Sequence, residues 1–419
     1  MQKKSSLNFP KRFLWGAATS SHQVEGNTHN QWTVWELENA KALATKAEYH
    51  LEDLTSWDRI KKEAKDPNNY VSGSATDHYN RYEEDFQIMK KLGMNAFRYS
   101  IEWSRVEPEE GAWNAEAIEH YKKYTARLTE LGIEPMVTLF HFTLPTWFAE
   151  KGGFEKRSNA RYFTRFAEKI VSELGIHARY ITTLNEPAAY AAESYYQHHW
   201  PPAQLHKKFT FWRVLNNLAY AHRQAAKAIH GLNRRYKVSV SYNSVYFYPG
   251  DDAWLSRASA NILQFFTDDY FLRKIAKHCD FLGVNFYFSN RIYGYRIHNP
   301  EEKVSDVGWD LSPSHIQFVL ERLYRKYKLP LIITEAGVAD GEDVHRKWVI
   351  TQHLIGIQKA LDEDVDVQGY LHWSLLDNFE WAYGKWPRYG LVHVDYETGE
   401  RTLRPSALWY GKVIKQVRK

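Results

Sequence analysis

Short apolar runs, rich in β-branched and aromatic residues, recur along the chain. They are FLWGAAT from Phe13, NAFRYSI from Asn95, EPMVTLF from Glu134, YITTLNE from Tyr180, KVSVSYN from Lys237, DFLGVNFY from Asp280, LPLIITE from Leu329 and VQGYLHWSL from Val367. Each predicts a strand. Between them the period lengthens: Phe163, Phe166, Ala167, Ile170, Val171 and Leu174 fall on one face of a helix. Strands alternating with helices imply a parallel sheet covered on both faces, and eight such units suit a (β/α)8 barrel. A doubly wound sheet is the alternative, but no G-x-G-x-x-G follows the first run. The fold class expected is therefore α/β, a TIM barrel spanning residues 1–419 as one catalytic domain.

Two stretches are too long for simple connections. Asn27 to Asp77 is polar and reads as a long first excursion with short helices, its charged run DRIKKEAKDPNN forming a solvated face. AAYAAESYYQHHWPPAQLHKKFTFW follows the fourth run. Long loops at the carboxyl ends of barrel strands shape a pocket.

Composition narrows the function classes. The 55 basic and 50 acidic residues leave a formal charge of +5, spread without a basic block, so no nucleic-acid partner is expected. No apolar run approaches the roughly 18 residues that span a bilayer, so no membrane is expected either. With one cysteine, Cys279, no internal disulfide is possible. The N-terminal MQKKSSLNFPKRF lacks the apolar stretch of a leader, which together predicts a cytoplasmic protein. Aromatic residues make up 16% of the chain, which suits either a large core or a pocket for sugar rings.

In a barrel the chemistry lies where strands end. The fourth run ends on Asn185 and Glu186, the sixth on Asn285 and Tyr287, and the seventh on Glu335; Arg98 lies in the second, and His141 follows the third. Carboxylates on strands four and seven would face each other across the mouth. That suits glycoside hydrolysis, in which a retaining mechanism needs carboxyls about 5–5.5 Å apart. A metal site finds little support: His198 and His199 are adjacent, adjacent side chains rarely converge on one ion, and no H-E-x-x-H occurs. No motif calls for a cofactor.

Seven segments in order, FLWGAATSSHQVEG, FRYSIEWSRVEP, VTLFHFTLPTW, TLNEP, FLGVNFY, ITEAG and WSLLDNFEWAYGKWPRYGLVHVDYETGERTLRPSA, resemble glycoside hydrolase family 1, the retaining β-glucosidases and β-galactosidases. The resemblance covers nearly the whole chain. It implies that Glu186 is the general acid/base and Glu335 the nucleophile, with the Glu335 anion raising the Glu186 pKa. It further implies that Arg98 and Tyr287 stabilise the nucleophile and that Asn185 binds the sugar 2-hydroxyl. Gln23 and His141 would meet the 3- and 4-hydroxyls, Glu380 the 4- and 6-hydroxyls with Trp381 alongside, and Trp373 would form a stacking platform. Asn285 and Tyr389 complete the sugar-binding set, Tyr389 near the 6-position.

The substrate implied is a small molecule with a terminal β-linked glucose, galactose or fucose. Glu380 would repel a 6-phosphate, and Pro387 stands where 6-phosphoglycosidases of the family place a lysine. Three positions depart from the family's usual pattern: Ala336 for asparagine, Phe142 for tryptophan and Tyr389 for phenylalanine. The family also implies a cis peptide between Trp373 and Ser374. A non-catalytic sugar-binding protein on the same barrel is the rival class, but family members of that kind have changed one of the two glutamates, and both are present here.

Overall fold

The computed structural model describes residues 7–203, 208–300 and 302–418. The first six residues, read above for a leader, and positions 204–207 of the second excursion lie outside that set. All eight apolar runs are strands: β1 (Leu14–Ala18), β2 (Ala96–Ser100), β3 (Glu134–Phe140), β4 (Tyr180–Asn185), β5 (Lys237–Asn243), β6 (Leu282–Phe286), β7 (Leu331–Gly337) and β8 (Val367–Trp373). They pair in parallel in chain order, and β1 closes the barrel against β8, with Leu14 opposite Gly369 and Ala18 opposite Trp373. Glycine is required where strands meet closely: a Cβ on Gly337 would lie 1.9 Å from the Trp373 carbonyl oxygen.

Alternation along the strands divides the barrel interior into levels. Leu14, Ala96, Met136, Tyr180, Ile332 and Leu371, with Phe281 just before β6, form an apolar cluster of their own. Two residues further along their strands come Arg98, Thr138, Thr182, Thr334 and Trp373, all buried. The interior thus turns from apolar to polar toward the carboxyl ends of the strands, where it opens.

Outside the sheet, helices bury the expected stripes. In the helix Ala160–Leu174 all six residues picked out by periodicity are buried, and the Phe166 ring stacks on Trp103 at 4.7 Å and 15°. The first excursion differs from expectation. Besides the short helix Trp57–Ala64 it contains α1 (Gln31–Leu51), a helix of 21 residues begun by a capping box between Asn30 and Thr33. Its buried stripe is Trp32, Glu36, Ala40, Ala44, Ala47 and Leu51. Alanines and a glutamate give too little hydrophobic contrast for periodicity to reveal a long helix. The charged run of this excursion is exposed, as expected.

Replacing Phe166 with alanine removes a fully buried ring and is expected to cost roughly 3–5 kcal/mol of stability. Glu168→Ala, on the exposed face of the same helix, should stay within about 0.5 kcal/mol. Urea unfolding of the two variants beside the parent checks both values.

Candidate active site

Both strands that end in a candidate carboxylate are irregular just before it. Between β4 and β5 the register steps from Thr182 opposite Ser239 to Asn185 opposite Ser241, and between β7 and β6 from Ile333 opposite Val284 to Glu335 opposite Asn285. Each step places one extra residue on the strand that bears the acid. Such a bulge breaks the two-residue alternation and re-aims the side chains that follow. Glu186 then adopts a left-handed backbone (φ 40°, ψ 58°) at the N-cap of the helix Pro187–Ala192. Phe142 (φ 73°) and Trp381 (φ 52°) are left-handed too. For non-glycine residues this costs roughly 1–3 kcal/mol each, borne where the surroundings enforce it.

Above the barrel opens a cavity of about 730 Å³. Nine of the twelve candidate residues line it: His141, Asn185, Glu186, Tyr287, Glu335, Trp373, Glu380, Trp381 and Tyr389. The other three are buried directly behind. Arg98 and Asn285 lie beneath the two acids, and Gln23 stands behind Glu380, donating Nε2–H to Glu380 Oε2 (3.2 Å) and to the Phe379 carbonyl (2.7 Å).

The two acids sit in different surroundings. Glu335 has a donor on each oxygen: Arg98 Nη1 on Oε1 at 2.5 Å and the Tyr287 hydroxyl on Oε2 at 2.7 Å. Arg98 also donates from Nη2 to Asn185 Oδ1 (2.7 Å) and from Nε to Thr138 Oγ1 (3.0 Å). Glu186 has only the Asn285 amide, on Oε1 at 2.7 Å. Asn285 is the hinge of the arrangement, since the same amide reaches Asn185 Oδ1 (3.1 Å), its carbonyl accepts from Thr334, and its backbone stands opposite Glu335. Burial, then the Glu335 charge, push the Glu186 carboxyl up to about 8, against the Asn285 hydrogen bond and Arg98. The expected effect of Glu335 is present, but desolvation is the larger cause.

The remaining polar groups follow the same logic. Burial first, and the Glu335 charge after it, lift Glu380 to about 8, although Asn378 and Gln23 donate to its Oε2. His141 is held well below its usual range by burial and by Arg98, so its ring is neutral. That ring faces the Asn185 amide at 3.1 Å and lies nearly parallel to Trp373 (5.7 Å, 21°) and Trp381 (6.1 Å, 19°). The Trp373–Ser374 peptide is cis.

A family model described as Glycosyl hydrolase family 1 matches residues 5–278 and 248–419. The chain belongs to glycosyl hydrolase family 1. Beta-glucosidase A of Acetivibrio thermocellus is 31% identical to it over 468 aligned residues, covering 98% of this chain and 99% of that protein. A beta-glycosidase from Pyrococcus horikoshii superposes with a TM-score of 0.85 at 34% identity, covering 98% of this chain and 95% of that one. A beta-glucosidase from Thermotoga maritima in complex with glucoimidazole gives a TM-score of 0.85 at 26% identity, covering 98% and 99%.

Of the three departures from the family 1 pattern, two touch the cavity. Phe142 lines it and packs against Trp200 (4.7 Å), which also packs on Trp32 (5.7 Å) and Trp381 (5.7 Å). Tyr389 lines it as well, packed in a cluster with Trp373 and Trp386, and burial and the Glu380 charge keep its phenol protonated. Ala336 is off the cavity, opposite Phe286 and His372 in the sheet.

Sequence reading did not single out Trp200, Glu193 or the α1 face of Trp35, Asn39, Leu43, Lys46 and His50, all of which line the cavity. The α1 residues recur at helical spacing, so the signal was present, but it was hidden by the weak contrast of the helix.

Glu380 and Glu186 are both raised from an ordinary 4.5 to about 8. Each binds a proton in the folded chain that the unfolded chain has released, so stability is full below about 4.5 and declines as pH rises toward about 8. Glu380→Gln should therefore flatten the fall in unfolding free energy across that window, as measured by urea titrations at several pH values.

Proposed function

We propose that the protein is a retaining β-glycosidase that releases terminal β-linked glucose, with galactose and fucose as related substrates, from small glycosides. The observation that carries this reading is the unequal pair of carboxyls. Glu335 has its charge neutralised by Arg98 and both oxygens hydrogen-bonded, as a nucleophile that must stay ionised requires. Glu186 is buried and protonated up to about 8, as a general acid requires.

In the first step Glu335 attacks the anomeric carbon, and Glu186 passes its proton to the leaving oxygen. The glycosyl ester that forms removes the Glu335 charge and with it the second-largest cause holding Glu186 protonated, after burial. Glu186, now a carboxylate helped by the Asn285 amide, takes a proton from water, which attacks the same face and restores the original anomeric configuration. The Asn185 amide faces the 2-hydroxyl, His141 and Glu380 the ring hydroxyls farther from the anomeric carbon, with Gln23 supporting Glu380 from behind, and Trp373 and Trp381 the apolar ring surface. Tyr389 closes the pocket near the 6-position. A sugar acceptor in place of water gives transglycosylation. No cofactor enters any step.

The whole chain acts as one catalytic barrel in this reading. A cytoplasmic setting suits it, since the sole cysteine, Cys279, is buried and unpaired.

Glu335→Gln should lower turnover of aryl β-glucosides by at least about a thousandfold. Proton NMR of the wild-type reaction should show the β-anomer as first product; the α-anomer would refute the retaining assignment. Glu186→Ala should keep activity only on glycosides with activated leaving groups. Added azide should then yield the β-glycosyl azide, because no acid is needed to expel such a group and no base to activate azide.

A further inference from the structure

The charges lining the cavity do not cancel. Four carboxyl groups face it: Glu186, Glu193, Glu335 and Glu380. Glu335 is matched by Arg98, and Glu193 by His199, whose Nδ1 lies 2.9 Å from Glu193 Oε2. Burial keeps Glu186 and Glu380 protonated up to about 8 and His141 neutral. Lys46 remains. Its side chain projects from α1 at the exposed rim and forms no ion pair among the described residues. The acid nearest to it in the sequence of α1, Glu48, is engaged with Lys65.

The position of this charge decides what it meets. The groups assigned to the sugar, Gln23, Asn185 and Glu380, are buried or nearly so at the closed end, whereas Lys46 and His50, about a helical turn apart, are exposed at the open end. A sugar seated against the buried groups points its leaving group outward, past Lys46. The cavity wall also carries the apolar and aromatic side chains of Trp35, Leu43, Tyr70 and Trp309. A flat ring bearing a negative charge matches both features.

We propose that the pocket rim selects β-glycosides of hydroxyaromatic acids, with Lys46 as the specificity-determining residue that pairs with the carboxylate of the leaving group. The inference rests on the hydrolase reading above. Lys46 acts on selection between substrates and has no part in bond cleavage.

The test compares phenyl β-glucoside with para-carboxyphenyl β-glucoside in the wild type, in Lys46→Gln and in Lys41→Gln, an exposed position of α1 off the cavity lining. The readout is the ratio of the two kcat/KM values, so that the intrinsic reactivities of the two phenols cancel between variants. Lys46→Gln should lower the preference for the carboxylate by roughly threefold, and Lys41→Gln should leave it unchanged. The wild-type preference should also shrink between about 0.01 M and about 1 M salt, as screening requires. A ratio unmoved by Lys46→Gln, or moved equally by Lys41→Gln, would overturn the proposal. Failure of folded wild type to cleave either glucoside would instead overturn the hydrolase reading, and the proposal with it.

Discussion

Arg98 lies inside a closed barrel with none of its surface exposed, and a bare guanidinium there would cost several kcal/mol. The rest of the site follows from how that cost is met. Glu335 neutralises the charge from β7, Asn185 accepts from β4, and Thr138 accepts from β3. Side chains from three strands are thereby tied to one guanidinium on β2 at the level where the interior turns polar. Removing Arg98 or Glu335 leaves the other as a buried, uncompensated charge, a loss of about 3–5 kcal/mol. The same cation that orders the site also lowers the His141 pKa, with burial the larger cause.

Above this level the two carboxyls, both buried, are told apart by their contacts. Each belongs to a strand with a bulge just before the acid, and Asn285 lies between them, bonded to Glu186 through its amide and opposite Glu335 through its backbone. Yet Glu335 receives a full positive charge and Glu186 a single amide. Two identical side chains, from strands with two others between them in the sheet order, thus stand in opposite electrostatic surroundings. Glu380 extends the pattern, because a third acid kept neutral by burial can donate as well as accept toward a sugar hydroxyl.

The outer part of the pocket obeys looser rules. Phe142, smaller than a tryptophan, packs against Trp200 from the excursion after β4. Aromatic packing of this kind depends on shape and area rather than on one donor and one acceptor. Helix α1 packs through Trp32, three alanines, Leu51 and the Glu36–His22 pair, leaving its other face, with Lys46, to the cavity mouth.

The eight strands and the helix Ala160–Leu174 were legible in the amino-acid sequence, because period-2 and period-3.6 burial is written directly into the order of apolar residues. The acids at the strand ends stood out for the same reason, as polar groups where an apolar run should continue. Their roles came from resemblance and not from pattern. What the sequence by itself did not reveal was α1, whose alanine-rich buried stripe carries little contrast, together with Trp200, the bulges before Glu186 and Glu335, and the dominance of burial over the Glu335 charge in setting the Glu186 pKa. Each of these depends on how segments distant in the chain meet. Solvation and register are properties of the assembled barrel, so only the tertiary structure could decide them.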